Sequence, residues 1–478
     1  MINKYITATI LALVSSTGSV SAQGLTVTPR LVVNIAIDQL RTDYLESFEQ
    51  LYGNHGFKRL LQNGVLYTNV RYPFSPVDRA SALAAINTGT TPNYNGITAE
   101  QWFDVSSLRS VSCVDDDTFK GILTNENTSA QKVMTTTLSD ELKIGTNGKS
   151  LVYSIAERRD AAVIPAGHNA DGAYWVNPRE NCWCTSTYYS KKSPKWLETY
   201  NLYNTPYKKN SSINEQITSI ALECITANSI GKDNTTDMLF ITYNASPSIN
   251  KKGYEDCRET YVELDRNIEK IINGIQAYVG ANNVLFVISG TGYYNELNTK
   301  EKNFRIPGGT VYINRTANLL NMYLGAMYGS DRYVEGYLNN NIYLNQKLID
   351  KKRMNYDEMT KLAKTFVRQS EGISNAYSRD DIMSAYSEEL SDVRRGYYNL
   401  RCGDIVIETT PGWNIVNEET QQNYYPNFGY LETPAIFYGY NLKHDRINKP
   451  VSAEALSATI AKAIQIRAPN ACKVAPLF

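Results

Sequence analysis

Few residues of this chain have both the type and the position that catalysis needs. Asp38 directly follows the apolar run 31–37, and Asp78 and Arg79 stand just before an alanine-rich stretch. A carboxylate at such a place can bind a metal ion or accept a phosphoryl group, and a hydroxyl becomes a good nucleophile only beside a metal or a base. The nearby hydroxyls are those of Ser75, Ser81 and Thr88. With no magnesium-binding cluster beyond Asp38, neither a hydroxyl nucleophile nor a phosphorylated Asp78 is favoured.

Histidine, the commonest metal ligand, is scarce in this chain. Its three histidines are His55, His168 and His444, and none follows a predicted strand at metal-binding spacing. Isolated histidines are more often surface or capping residues than ligands. Cys182 and Cys184 could form a metal pair, but a structural role is favoured because no other Cys or His lies nearby. The sequence therefore predicts no metal centre built on these residues.

Apolar runs predict the strands that would position the reactive groups. These runs fall at 31–37, 151–156, 161–164, 238–243, 284–289 and 435–438, and helical patterns fall at 44–62, 135–144, 213–230, 257–278 and 453–466. Alternating buried strands and helices predict an α/β fold, with a mostly parallel central sheet covered by helices on both faces. Ligands of such sheets bind beyond the carboxyl ends of the strands. The site is therefore expected among Asp38, 75–87, 244–253, 289–293 and the loop before Thr433.

The alternation breaks between residues 300 and 400, where short strands mix with charged helices. We predict an inserted cap subdomain there, with the core formed by 23–299 and 401–478. Residues 1–22 combine a lysine, a short apolar run and small residues, which is typical of a secretory signal peptide. No stretch approaches the roughly 18 apolar residues of a membrane span. We expect an exported protein of the periplasm or cell surface without a membrane span.

Composition excludes one class of partner and leaves other features open. The 48 basic and 48 acidic residues give a net charge of zero, so nothing favours nucleic-acid binding. Seven cysteines in an exported chain predict one to three disulfides and at least one free thiol. The 35 tyrosines against 12 phenylalanines fit a recognition surface or, as the favoured interpretation, an irregular hydrated surface.

Longer segments of the chain match the pattern of a known family. They include AIDQLRTDYLESFEQLYGNHGFKRLLQNGVLYTNVRYP, INTGTTPNYNGITAEQWFD, TTTLSDELKI, IPAGHNADGAYW and TPAIFYGYNL. The chain resembles the alkaline phosphatase superfamily from about residue 31 to its C-terminus. It looks most like the phosphate-irrepressible alkaline phosphatases of Bacteroidetes and their type I phosphodiesterase and nucleotide pyrophosphatase relatives. The resemblance implies an α/β fold and, in an active member, two zinc ions held by aspartates and histidines beside a Thr or Ser nucleophile.

Most of the family's functional positions carry other residues here. The first metal-binding aspartate is retained as Asp38, but the nucleophile position holds Arg79. The remaining ligand positions correspond to Ser246, Asn250, Gly290, Thr291 and Asn423. The phosphate-binding positions correspond to Glu100, Arg158 and Asp160. The resemblance thus implies that neither the nucleophile nor the zinc ligand set is retained, and we expect no cofactor.

A cleft that loses two zinc ions must neutralise the acids it keeps. We expect Arg79 to pair with Asp38 and to balance part of the charge that the metals would have supplied. The alternative is that Arg79 points to solvent and Asp38 caps the following helix.

Three functions agree with these observations. The favoured one is an exported, catalytically inactive protein that binds or scaffolds a protein partner in the cell envelope, with the tyrosine-rich stretch 174–207 as part of the contact surface. The alternative is a metal-dependent hydrolase of phosphate monoesters or diesters with an atypical site, supported by Asp38. The third is unreactive binding of a phosphorylated or carbohydrate ligand by Arg79, Arg158, Lys251 and Lys252.

Overall fold

The computed structural model describes residues 28–208, 211–246, 254–294, 308–384, 388–425, 431–440 and 442–478. The expected signal peptide, 1–22, lies outside these residues, as do Asn250, Lys251 and Lys252.

The described residues form twenty strands and fifteen α-helices. The strands are β1 (Leu31–Asp38), β2 (Val65–Arg71), β3 (Gln101–Asp104), β4 (Arg109–Ser112), β5 (Gly121–Ile122), β6 (Val152–Ala156), β7 (Gly172–Asn177), β8 (Cys182–Ser186), β9 (Asp237–Asn244), β10 (Val284–Gly290), β11 (Gly309–Tyr312), β12 (Val334–Leu338), β13 (Asn341–Leu344), β14 (Ile373–Ser378), β15 (Ile405–Thr409), β16 (Trp413–Asn417), β17 (Gln422–Tyr424), β18 (Thr433–Gly439), β19 (Asp445–Ile447) and β20 (Val451–Ser452). The helices are α1 (Thr42–Ser47), α2 (Phe57–Asn63), α3 (Arg79–Thr88), α4 (Pro92–Asn95), α5 (Leu138–Gly145), α6 (Arg159–Ala166), α7 (Lys195–Tyr203), α8 (Ile213–Ala227), α9 (Tyr254–Val279), α10 (Ile313–Tyr328), α11 (Gln346–Lys351), α12 (Tyr356–Val367), α13 (Arg379–Ser384), α14 (Glu388–Gly396) and α15 (Ala455–Ala463).

A large mixed sheet of eleven strands organises the molecule. Its order is β19-β2-β18-β10-β1-β9-β6-β7-β8-β5, and β20 also pairs with β2. The central strands β10, β1, β9, β6 and β7 are parallel, as predicted. Strand β18 runs antiparallel to both of its neighbours, and β8 is antiparallel to β7. The predicted α/β fold with a central sheet is therefore confirmed, but the sheet is more mixed than expected.

Helices cover both faces of this sheet because its central strands are apolar on both sides. Along β1, Val32 and Ala36 face one core cluster, whereas Val33 and Ile35 face the other. This alternation is the two-residue period of a strand. The first cluster takes in buried residues of α3, α5, α6 and α15, and the second takes in α1, α2, α7, α8 and α9.

Two predicted elements are wrong. Residues 161–164 are not a strand but the interior of α6. The predicted helix 44–62 is divided into α1, a short 3₁₀ turn at Glu49–Leu51, and α2. Asp265 of α9 causes this division, because its carboxylate accepts the backbone N–H groups of Gly53 (2.8 Å) and Phe57 (2.6 Å).

Smaller sheets occupy the region of the predicted cap. Strands β12, β13, β15 and β14 form one sheet, and β11, β16 and β17 form another. Together with α10 and α12 they enclose a hydrophobic cluster of their own. The cap boundaries at 300 and 400 stay a prediction, and these sheets also include strands between 405 and 424.

The expected disulfides do not form, because all seven cysteines are free thiols. Four of them are buried, and they are divided between the two faces of the central sheet. Within the described ranges, no helix has the length and apolar character needed to cross a membrane.

Candidate functional site

Asp38 ends the central strand β1 at the edge where the parallel strands finish. Its side chain is 5% exposed and accepts hydrogen bonds from Thr291 (2.9 Å) and from the hydroxyl of Tyr293 (3.0 Å). Burial raises the pKa of Asp38, although these two donors and Arg79 act in the opposite direction. Asp38 therefore belongs to a closed hydrogen-bond network, and it does not cap the following helix as the alternative proposed.

The start of α3 positions Arg79 at the same edge. Asp78 caps this helix, since its carboxylate accepts the backbone N–H of Ser81 (2.8 Å) while the hydroxyl of Ser81 accepts the N–H of Asp78 (3.0 Å). The second carboxylate oxygen of Asp78 accepts the N–H of Glu100 (2.7 Å). One acid thus fixes both the helix that carries Arg79 and the backbone that carries Glu100. Because Ser81 and Asp78 form these hydrogen bonds, we assign both residues a structural role.

Arg79 lies among three carboxylates. Its guanidinium forms a two-point contact with Asp160, from Nε to Oδ2 (2.9 Å) and from Nη2 to Oδ1 (3.1 Å). Nη2 also lies 2.7 Å from Glu100, and Nη1 lies 3.7 Å from Asp38. The expected pairing of Arg79 with Asp38 is therefore present. The stronger partner is Asp160, because two-point Arg–carboxylate contacts are among the strongest ion pairs.

The three carboxylates differ in their pKa and in their access to solvent. Burial raises the pKa of Asp160, but contact with Arg79 outweighs it and holds the pKa below its ordinary value. Burial raises the pKa of Glu100 to about 7, against the lowering effect of Arg79. The side chain of Glu100 is 34% exposed, compared with 10% for Asp160. Glu100 is the acid of this cluster that can best exchange protons with a bound molecule near neutral pH.

Arg158 and Ser246 lie around this cluster. Arg158 is exposed, precedes α6, and lowers the pKa of both Asp160 and Glu100 through its charge. Ser246 follows β9, where its hydroxyl and its backbone N–H both donate to Asn244. Arg158 thus adds a cationic group at the edge, whereas Ser246 is held by its own strand end.

The last residue of β10, Gly290, and the residue after it, Thr291, are both closely packed. A Cβ atom on Gly290 would lie 1.8 Å from Oγ1 of Thr433, which donates to the carbonyl of Leu40. Thr291 is fully buried; it donates to Asp38 and accepts the backbone N–H of Gln39 (2.9 Å). Any side chain larger than glycine at residue 290 would therefore displace Thr433.

Asn423 lies in the small three-stranded sheet. It is exposed on β17, where it accepts from Asn414 (2.6 Å) and donates to Tyr425 (2.9 Å). The site residues that the structure brings together are Asp38, Arg79, Glu100, Asp160 and Thr291, with Gly290 and Arg158 beside them. Asn250, also predicted here, lies outside the described residues.

The residues at this edge do not fit two zinc ions. Zinc in proteins is held by His, Cys and carboxylate groups, and the guanidinium of Arg79 lies between the acids that could serve. His168 is bound to Asp140 and to the carbonyl of Val133, and His444 to the carbonyl of Gly64. Among the described residues, no group of three or more His, Cys, Asp or Glu side chains is placed to hold a metal ion.

Sequence reasoning missed Tyr293 and Tyr72, and it considered Asp78 only as an acid that could be phosphorylated. Tyr293 donates to Asp38, Tyr72 donates to the carbonyl of Gly290 (2.6 Å), and Asp78 anchors Glu100. Tyr293 is the last residue of 289–293, the stretch that the sequence predicted to follow a strand at the site. Its neighbour Gly292, at a φ of +73°, signals the turn that brings its ring inward.

Comparisons with known proteins cover nearly the whole chain. The profile of the type I phosphodiesterase / nucleotide pyrophosphatase family matches residues 32–431. Alkaline phosphatase PafA of Elizabethkingia meningoseptica is 25% identical, over 94% of this chain and 94% of its own. Alkaline phosphatase PhoV of Synechococcus elongatus is 24% identical, over 92% of this chain and 91% of its own.

Solved structures show the same fold. The crystal structure of alkaline phosphatase PafA superposes with a TM-score of 0.84, covering 94% of this chain and 98% of that chain at 24% identity. Murine ectonucleotide pyrophosphatase / phosphodiesterase 5 gives a TM-score of 0.56 at 13% identity.

The expectation of a catalytically inactive scaffold is contradicted by these comparisons. Relatives that match over more than nine-tenths of this chain include the alkaline phosphatases PafA and PhoV, which favours the alternative of a phosphate ester hydrolase. The family profile spans most of the chain, from strand β1 to the loop just before β18. The chain therefore belongs to the type I phosphodiesterase / nucleotide pyrophosphatase family.

Proposed function

We propose that this chain is an exported hydrolase of phosphate esters, and that its reaction takes place where Arg79 and Glu100 meet. The observation that carries the proposal is the family match over residues 32–431. The geometry supports it by placing a guanidinium and a partly exposed carboxyl group together at the sheet edge where α/β folds bind ligands.

Charge at this edge favours diesters over monoesters as substrates. Among the residues that the structure describes, the carboxylates of Asp38, Glu100 and Asp160 are opposed by Arg79 and Arg158. A phosphate monoester carries almost two negative charges at neutral pH, whereas a diester carries one. The surplus of negative charge therefore repels a monoester more strongly than a diester.

Each residue has a role in the proposed reaction. Glu100 accepts a proton from a water molecule, whose oxygen attacks phosphorus as the bond to the leaving alcohol breaks. Glu100 then returns the proton to the leaving oxygen, giving an alcohol and a phosphate monoester. Arg79 donates hydrogen bonds to the phosphoryl oxygens as their charge grows. Asp38 and Asp160 hold the guanidinium in place, which is a positioning role.

Initial rates at pH 7 test this proposal. We expect the purified chain to release p-nitrophenol faster from bis(p-nitrophenyl) phosphate than from p-nitrophenyl phosphate. Glu100→Gln should slow the diester reaction by about 100-fold, because proton transfer is lost while size and hydrogen bonding are kept. Arg315→Ala, which removes an exposed ion pair to Glu418, should leave the rate unchanged. Equal rates for Glu100→Gln and the unmodified chain, or a preference for the monoester, would reject these assignments.

Export and binding partners remain part of the proposal. The composition of residues 1–22 supports export through a signal peptide, followed by residence in the periplasm or at the cell surface. A protein partner in the cell envelope stays a prediction, as does a carbohydrate ligand.

A further inference from the structure

Arg79 occupies the centre of three carboxylates, at the position that the family resemblance assigns to the nucleophile. Its three guanidinium nitrogens each contact a carboxylate: Nε contacts Asp160, Nη2 contacts Asp160 and Glu100, and Nη1 contacts Asp38. We infer that Arg79 is a built-in counter-cation that closes this centre to divalent metal ions, so that the chain folds and keeps its site without zinc. The inference relies on the proposed function only for the statement that this edge is the reaction centre.

The way the acids are held supports this inference. Each carboxylate oxygen of Asp38 accepts one hydroxyl donor, from Thr291 and Tyr293, which fixes the orientation of the carboxylate toward Arg79. Both oxygens of Asp160 accept N–H groups of Arg79. Because the guanidinium of Arg79 lies between these acids, a divalent ion that bridged them would have to displace it.

Packing around the acids closes the same space. Arg79 is 8% exposed, and it is the first residue of α3, whose start is fixed by the Asp78 cap. Tyr72 and Tyr293 fill the side of Asp38 that faces β10, and both are buried. A guanidinium is permanently charged, so it balances the acids at every pH at which the protein is folded.

Metal content of the unmodified chain is the first test. The purified protein is incubated with excess zinc chloride, desalted, and measured by inductively coupled plasma mass spectrometry, and its Tm is recorded with EDTA and with added zinc. We expect no stoichiometric zinc and the same Tm in all conditions. One or two zinc ions per chain, with a Tm that falls in EDTA, would overturn the inference.

A double-mutant cycle tests the role of Arg79 as a counter-cation. Arg79→Ala leaves buried acids without a counter-charge and should lower Tm by about 5 °C or more. Asp160→Asn in the same chain removes one acid, so the double variant should regain part of that loss. Arg315→Ala, at an exposed Arg–Glu pair, should change Tm little. A double variant less stable than Arg79→Ala, or an Arg79→Ala chain as stable as the unmodified protein, would contradict the role.

These outcomes separate the inference from the proposed function. A chain that binds no zinc and also fails to turn over phosphate diesters would reject the proposed function alone. A chain that turns over diesters and holds stoichiometric zinc would reject this inference alone. If Arg79→Ala fails to fold, zinc content and Tm of the unmodified chain still test whether the site excludes zinc. Arg79→Lys then replaces Arg79→Ala in the double-mutant cycle.

Discussion

At the scale of single residues, Asp38 shows how the fold holds a buried acid at the end of its central strand. It keeps its place at the end of β1 but accepts hydroxyl hydrogen bonds from Thr291 and Tyr293. The pairing of Asp38 with Arg79 was predictable, since a buried acid needs a counter-charge. The stronger pairing with Asp160 was not, because residues 161–164 were taken for a strand. In α6, Asp160 instead lies in the first helical turn and points toward α3.

Tyr293 offers a test at this scale. Tyr293→Phe removes one of the two hydroxyl donors to Asp38 and leaves a buried acceptor with one fewer partner. The free energy of unfolding should fall by about 1–2 kcal/mol in urea titrations. Tyr203→Phe, at a tyrosine that is 78% exposed, should change it little. Equal effects of the two substitutions would mean that the Tyr293 hydroxyl does not hold Asp38.

At the scale of elements, His168 and Asp140 join the start of α5 to the loop after α6. Nδ1 of His168 lies 2.8 Å from Asp140, and Nε2 lies 3.0 Å from the carbonyl of Val133. Both ring nitrogens therefore face acceptors, which suits the protonated imidazole. Burial lowers the pKa of His168, but Asp140 and the Val133 carbonyl outweigh this and raise it above 6.5.

A raised histidine pKa makes stability fall as pH rises. The contribution of His168 should be complete below pH 6.5, its unfolded pKa, and should fade as pH rises through the higher folded value. The difference in unfolding free energy between the unmodified chain and His168→Asn should therefore shrink between about pH 6 and 9. His55→Asn, at an exposed histidine, serves as the control. A difference that stays constant over this range would show that His168 is not protonated in the fold.

Long elements with a clear period were predictable, and short or interrupted ones were not. Strands β1, β9 and β10 and helices α8 and α9 lie where their patterns placed them. A short apolar run such as 161–164 is consistent with a buried strand and with a buried helix. Its periodicity therefore could not distinguish the two structures. The break between α1 and α2 depends on Asp265, more than 200 residues away in the sequence.

At the scale of the whole molecule, the central sheet carries the site and the fold does not depend on disulfides. The parallel strands could be predicted because their continuous apolar runs indicate burial on both faces. The antiparallel direction of β18 could not be predicted, because β18 has the same kind of buried apolar run as the parallel strands.

The free thiols give a test of the whole fold. The chain, purified without reductant and unfolded in guanidinium, should react with seven equivalents of Ellman's reagent. Its Tm should be the same with and without dithiothreitol, because no disulfide limits the unfolded chain. Fewer than seven reactive thiols, together with a Tm lowered by reductant, would show that cysteines pair after export.

The central claim, that this chain hydrolyses phosphate esters at the Arg79 centre, is tested most directly by one comparison. Release of p-nitrophenol from bis(p-nitrophenyl) phosphate is measured for the unmodified chain and for Arg79→Ala, after circular dichroism has verified that both are folded. We predict measurable turnover by the unmodified chain and a loss of about 100-fold or more in the variant, because a donor to the phosphoryl oxygens is removed. No turnover by the unmodified chain, or equal rates for the two proteins, would contradict the claim.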